Sequence, residues 1–188
     1  MTSETIQIQQ LLERIAALLR GERRNKLVEL GLLPVQFDAL CYLGECNRYS
    51  DTLMALCEYL GQTKGTVSQT LKVLEKKGLI ERHADAKDKR VIHLKPSETG
   101  LALLAELTQS PLLCALYTEH GFDSRLTSAL AALLKQLQQT NGGRAFGVCH
   151  QCRYNQSPAE GHFQCGLTGE SLSEADTQLI CREYEHID

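Results

Sequence analysis

Four cysteines stand near the end of this 188-residue chain, in the order Cys149-x2-Cys152, Cys165 and Cys181. A Cys-x-x-Cys pair holds two thiolates within reach of one ion. The stretches 153–164 and 166–180 are long enough to bring back the other two. Four thiolates suit tetrahedral zinc, the expected occupant, and equally suit an iron–sulfur cluster, the alternative; spacing does not separate them. His162, three residues before Cys165, is the best substitute ligand, because His150 lies inside the Cys-x-x-Cys turn and His186 sits near the end of the chain. Arg153 and Arg182 each follow a ligand cysteine directly and can offset its charge. Zinc would make the site structural, whereas a cluster, or a dithiol–disulfide pair, would make it a sensor. The segment from 147 onward is polar and too short to bury much apolar surface, so a staple is expected there.

A second grouping could bind phosphate. Residues 61–95 carry nine Lys/Arg against four acids, a local +5, whereas residues 149–188 carry two Arg against seven acids, a local −5. The formal net charge of −3 hides both. The basic block has the electrostatic footprint of a nucleic-acid face, and the acidic tail is expected to point away from it.

Helical and strand periodicities must position these groups. Apolar residues at 8, 11, 12, 15, 18 and 19 put one face on a helix over 6–19, and Pro34 opens a second helix. The polar turn 47–51 ends in Asp51, expected to cap a short helix over 52–60. Gly61 breaks that helix, Thr63 caps the next, which runs to about Lys77, and Gly78 stops it. Two short strands, 79–82 and 91–94, flank a charged turn and predict a hairpin. A helix begins at 97–100 and is interrupted at Pro111. Leucines at 126, 130, 133, 134 and 137 mark the last helix, over 124–140, and Asn141, Gly142 and Gly143 form a linker.

A short helix, a Gly turn, a second helix and a hairpin make a winged helix-turn-helix. Thr63, Lys64, Thr66, Ser68, Gln69 and Lys72 form the outward set of the second helix, while Val67, Leu71 and Leu74 pack inward. Short hydroxyl and amide groups reach base edges in a major groove and lysines meet phosphates. Lys87, Lys89 and Arg90 form the wing tip, where Arg90 can enter a minor groove, held by Asp88.

The remaining cysteines lie on helical segments. Cys57 and Cys114, set among leucines, are expected to be buried thiols; Cys46, near a turn, is the more exposed, reactive candidate. With no Trp and 5% aromatic residues, a large aromatic ligand cage is not expected. No apolar run is long enough for a membrane span, and the first residues lack a secretory pattern. A cytoplasmic protein is expected, its eight cysteines serving as thiols and ligands. No nucleophile triad, phosphate loop or dinucleotide glycine pattern is present, so an enzyme is not expected.

The strings LPVQ at 33–36, TKGTVSQTLKVLEKKGLI at 63–80 and DKR at 88–90, with Ser97 and Gly100, resemble the MarR-type regulators. The resemblance covers roughly residues 5–140. It implies a homodimer, paired through its terminal helices and bound to a pseudo-palindromic operator in double-stranded DNA, usually as a repressor. The Leu-rich segments 6–19 and 124–140 are the matching dimerisation helices, the alternative being that they pack inside one chain. Many relatives also bind small phenolic effectors, but no residue here carries such a site over. Lys95, Pro96 and Ser97 replace the Leu-Thr usual after the wing, and the cysteine tail lies outside the family core.

The expected architecture is mainly α with a small β-hairpin wing: an N-terminal dimerisation helix (1–30), a winged helix-turn-helix (31–98), C-terminal dimerisation helices (99–142) and a small metal-stapled module (143–188). The alternative function is a small redox or metal-handling protein whose winged helix makes protein contacts.

Overall fold

The computed structural model describes residues 3–86, 88–121, 124–140, 145–159 and 161–187. Its first part is helical: α1 (Ser3–Glu29), α2 (Pro34–Glu45), α3 (Leu53–Leu60) and α4 (Lys64–Lys76). An antiparallel hairpin follows, β1 (Ile80–Ala84) and β2 (Ile92–Pro96), with Arg82 opposite Leu94 and His83 opposite His93. Then come α5 (Glu98–Leu107), α6 (Pro111–His120) and α7 (Ser124–Thr140). The linker 141–143 lies outside the described residues.

Local chemistry sets the boundaries. Pro34 occupies the first turn of α2, and the Leu33 amide donates to Gln36 Oε1 at 2.9 Å. Gly61 ends α3 in the left-handed region, at φ 62°. Thr63 Oγ1 accepts the Thr66 amide at the start of α4. The core lies between α2, α3, α4, the hairpin and α5, where Phe37, Leu40, Tyr42, Leu56, Val67, Leu71, Leu74 and Leu94 are fully buried.

Two sequence expectations are corrected here. Helix α1 continues past residue 19 to Glu29. An interior Gly costs about 1 kcal/mol of helix propensity, and the turns beyond Gly21 offset that by their contacts. Leu27 is buried, Lys26 pairs with Glu106 at 2.8 Å, and Glu22 accepts from Ser110 Oγ and the Leu112 amide at the start of α6. Asp51 does not cap α3; Thr52 does, accepting the Ala55 amide, while Asp51 turns inward and is 4% exposed.

The Lys95–Ser97 replacement is accommodated. Pro96 closes β2 opposite Ile80, and Ser97 caps α5 while donating to the Gly78 carbonyl. At Gly100 the backbones meet so closely that a Cβ would collide with the Leu79 carbonyl oxygen.

The leucine-rich segments do not pack inside the chain. Ile6, Ile8, Leu11, Ile15 and Leu18 on α1 are exposed, as are Leu126, Leu130, Leu134 and Leu137 on α7 and Leu112, Leu116 and Tyr117 on α6. No single helix among the described residues is long and apolar enough to cross a membrane.

The tail is a small β-rich unit. It contains β3 (Gly147–Val148), a 3-10 turn (Cys149–Gln151), β4 (Asn155–Ala159), β5 (His162–Cys165), β6 (Ser171–Leu172), α8 (Glu174–Thr177) and β7 (Ile180–Cys181). β3 pairs with β7, and β4, β5 and β6 form a second antiparallel sheet. The tail extends the helical core by borrowing it. Phe146 packs edge-on against Tyr59 and Tyr42 at 5.2 and 6.0 Å, Ile180 bridges to Cys46, and Tyr184 is buried against Gly147.

A methyl group at Gly100 has no space, because what it meets is backbone. Gly100→Ala is expected to destabilise the chain by at least about 2 kcal/mol, read from the midpoint shift in urea unfolding.

Candidate nucleic-acid interface and four-cysteine pocket

α4 is amphipathic in the sense the outward set requires. Val67, Leu71 and Leu74 are at most 1% exposed. On the opposite face Thr63, Lys64, Thr66, Gln69 and Lys72 all stand exposed. Ser68 is half-buried, so it is the member of the set least able to reach out of the helix. Thr63 Oγ1 lies 3.0 Å from Thr66 Oγ1, which ties two of these hydroxyls to the helix start.

The charge block divides once geometry is known. Lys77 Nζ donates to the Leu30 carbonyl at 2.9 Å and Arg82 pairs with Glu75 at 3.1 Å, so these two cations brace the fold. Lys64, Lys72, Lys76, Lys89 and Lys95 are exposed. Arg90 projects fully from the hairpin, its side chain 91% exposed, with Nε and Nη2 each 3.0 Å from an Asp88 carboxylate oxygen. That ion pair lowers the Asp88 carboxyl from its ordinary value and raises Arg90. The expected Asp88 clamp is therefore present, and it fixes the guanidinium direction. Lys87 lies outside the described residues.

A buried feature invisible in the sequence straps this wing to the core. His93, half-buried on β2, contacts Asp51 Oδ1 through Nδ1 at 2.5 Å and Asp85 Oδ2 through Nε2 at 3.2 Å. The Leu94 amide donates to the Asp51 carbonyl at 2.8 Å. The hydrogen bond to Asp51 raises the His93 pKa, with Asp85 adding to it. Burial raises Asp51 as well, opposed by the hydrogen bond and charge of His93.

The four tail cysteines converge. Cys149, Cys152, Cys165 and Cys181 line one cavity of about 70 Å³, together with Asn47 and Tyr49 from the turn before α3. The Cys152 amide donates to the Cys149 carbonyl at 3.0 Å, making the Cys-x-x-Cys knuckle. The Gly169 amide donates to the Cys165 carbonyl, closing a second tight turn around Cys165. Burial pushes the Cys149 thiol up to about 11, with Cys181, Cys152 and Cys165 adding to the effect. Burial also raises Cys181, against a hydrogen bond from the Asn47 side chain and one from the Glu183 backbone. His162, the expected substitute ligand, is exposed on β5 and does not line the cavity. Among the described residues, no group of three or more His, Cys, Asp or Glu side chains is set closely enough to hold a single ion.

The two arginines expected beside the cysteines make carboxylate pairs instead of facing the thiols. Arg182 forms a two-point pair with Glu58 of α3, both contacts at 2.7 Å, and Arg153 pairs with Glu185 at 3.1 Å. The other cysteines depart from expectation in two places. Cys57 is buried as expected, but Cys114 is exposed, because α6 turns its apolar side out of the chain. Cys46 is buried under Ile180 of the tail; burial and the nearby Asp51 push its thiol up to about 12, so it is not a reactive surface thiol.

Comparison with known proteins places this geometry. A MarR-family model matches residues 30–91. The transcriptional repressor MprA of Escherichia coli (strain K12) is 32% identical over 120 residues, 63% of this chain and 64% of that protein. The chain thus spans about 64% of the length of the curated relative it matches. Three solved structures share the fold. The transcriptional regulator SlyA has a TM-score of 0.56 at 21% identity, covering 71% of this chain and 93% of that one. A MepR–DNA complex from S. aureus has a TM-score of 0.54 at 23% identity, covering 70% and 96%. CouR from Rhodococcus jostii RHA1, bound to p-coumaroyl-CoA, has a TM-score of 0.54 at 20% identity, covering 71% and 90%. The family match stops before the tail cysteines.

The His93 strap has a pH signature. A folded-state pKa above the unfolded value of about 6.5 means that its contribution is complete below that value and fades as pH rises through the folded one. Thermal unfolding midpoints followed over about pH 6 to 9 should decline in the native chain, and His93→Gln should flatten that decline.

Proposed function

We propose that this chain, whose residues 30–91 match a MarR-family model, is a cytoplasmic DNA-binding transcriptional regulator, a repressor, that acts as a homodimer on a pseudo-palindromic duplex. The observation that carries this reading is the exposed face of α4, with Thr63, Lys64, Thr66, Gln69 and Lys72 on a helix whose opposite face, Val67, Thr70, Leu71 and Leu74, is buried in the core. A wing arginine aimed by its own aspartate stands on the adjoining hairpin. In this reading α4 lies in a major groove, where its N-terminal hydroxyls and Gln69 meet base edges. Lys64, Lys72 and Lys89 contact phosphates, and Arg90 reaches the adjacent minor groove or its phosphates. A winged helix used for protein contact would have no need of five exposed lysines on one block.

Dimerisation follows from the apolar surface that one chain leaves uncovered on α1, α6 and α7. Patches of that extent on a soluble chain mark an interface, and a two-fold axis through these helices would present two copies of α4 to two half-sites. The four tail cysteines hold a thiolate-bound metal centre beside the turn that leads into α3.

Two measurements test the reading. Binding to random duplex should weaken with salt, and the triple substitution Lys64→Ala, Lys72→Ala, Arg90→Ala should reduce the log–log salt slope by about 0.9 for each phosphate contact removed. Unchanged affinity in the triple variant would refute the interface. Leu134→Glu with Leu137→Glu should convert the dimer to monomer in light scattering, while a dimer that persists would remove α7 from the interface.

A further inference from the structure

We infer that the cavity between Cys149, Cys152, Cys165 and Cys181 is a polynuclear site, built for an iron–sulfur cluster and not for a single zinc ion. The inference deepens, and rests on, the reading of the tail as a thiolate metal centre; it does not depend on DNA binding.

The argument is one of spacing. Four sulfurs bound tetrahedrally to one ion at about 2.3 Å are drawn to within about 3.8 Å of one another. Sulfurs at that separation touch and enclose no space. Here the four thiols line, together with eight other residues, one cavity of about 70 Å³, and among the described residues no three His, Cys, Asp or Glu side chains are grouped as a single ion requires. A cluster interposes its own iron and sulfide between the ligand sulfurs, so each thiolate binds a different corner or edge and the sulfurs stand apart around a volume. The ligand set is the four-cysteine set such clusters use, and it comes from three separate backbone segments, each fixed by its own turn or strand.

The walls fit the same occupant. Cys149 and Cys152 are 7% and 6% exposed, and Tyr49, Tyr154, Leu167 and Leu172 complete the enclosure, which limits water at the metal. The Asn47 side chain and the Glu183 backbone hydrogen-bond Cys181, the kind of contact that orients a ligand sulfur and tunes a cluster.

The position of the cavity gives the cluster a mechanical role. Asn47 and Tyr49 belong to the winged-helix domain, not to the tail. Their turn receives Ile180 through the Asn47 amide at 2.9 Å and the Arg182 amide through Ser50 Oγ at 2.8 Å. The same turn holds the wing through Asp51. A cluster therefore braces the joint between the tail and the element that carries α3, α4 and the wing.

The test is made on the full chain purified under nitrogen, and again after reconstitution with ferrous iron and sulfide. Brown protein with broad visible absorption, about two or about four irons per chain, matching acid-labile sulfide and little zinc is the expected result. Cys165→Ser should lose at least half of that iron and absorption, and Cys114→Ser, on exposed α6, should lose none. Colourless protein with one zinc per chain would overturn the cluster and leave a thiolate metal centre standing. Protein that takes up neither metal would overturn both. Iron retained equally by Cys165→Ser and the native chain would place the cluster elsewhere and refute this ligand set. Protein that binds duplex but takes up no iron even after reconstitution would sink the cluster but not the regulator; a cluster without duplex binding would do the reverse.

Discussion

The turn at residues 46–51 buries polar groups, and buried polar groups must be hydrogen-bonded. Asn47, Ser50 and Asp51 are 6%, 0% and 4% exposed. Left unpaired, each would cost about 1–3 kcal/mol. Their partners come from three directions: Tyr42 donates to the Ser50 carbonyl from α2, His93 and Leu94 meet Asp51 from the wing, and Ile180 and Arg182 meet Asn47 and Ser50 from the tail. Satisfying one short turn thus holds the helical core, the hairpin and the C-terminal unit in a single arrangement. Such fully paired networks specify geometry more than they add stability.

This constraint explains why the tail is not a free appendage. Phe146 and Ile180 are partly buried against the helical core, next to Tyr42, Tyr59 and Cys46. The two-point Arg182–Glu58 pair adds a directional contact to α3. The acidic segment is thereby seated on the α2–α3 side of the domain, with Glu170 engaged by Arg48 and Tyr49. The helices at the two ends of the first 140 residues follow the opposite logic: much of their apolar stripes points outward and stays exposed.

Much of the candidate interface was legible residue by residue. Thr63 as a cap, Val67, Leu71 and Leu74 as the buried stripe, Gly78 as the stop and Asp88 as the holder of Arg90 all depend on partners within a few positions along the chain. Capping is a local rule and points to Asp51 as the cap of α3, whereas its partner, His93, lies 42 positions away. Cys46 and Cys114 depart from expectation for a related reason. Neighbouring residues show that a helix has an apolar face, but not whether another element covers it. The tail covers Cys46, while no described element of the same chain covers α6.

By itself the amino-acid order determined the succession of helices, the hairpin, the side of α4 that faces out and the four thiols as one set, since periodicity, caps and spacing are properties of contiguous residues. Only the tertiary structure decided that those thiols line one cavity, that Asn47 and Tyr49 line it with them, and that one buried turn joins the tail to the wing. These outcomes depend on where desolvated polar groups find partners, and that is set by the packing of segments far apart in the chain.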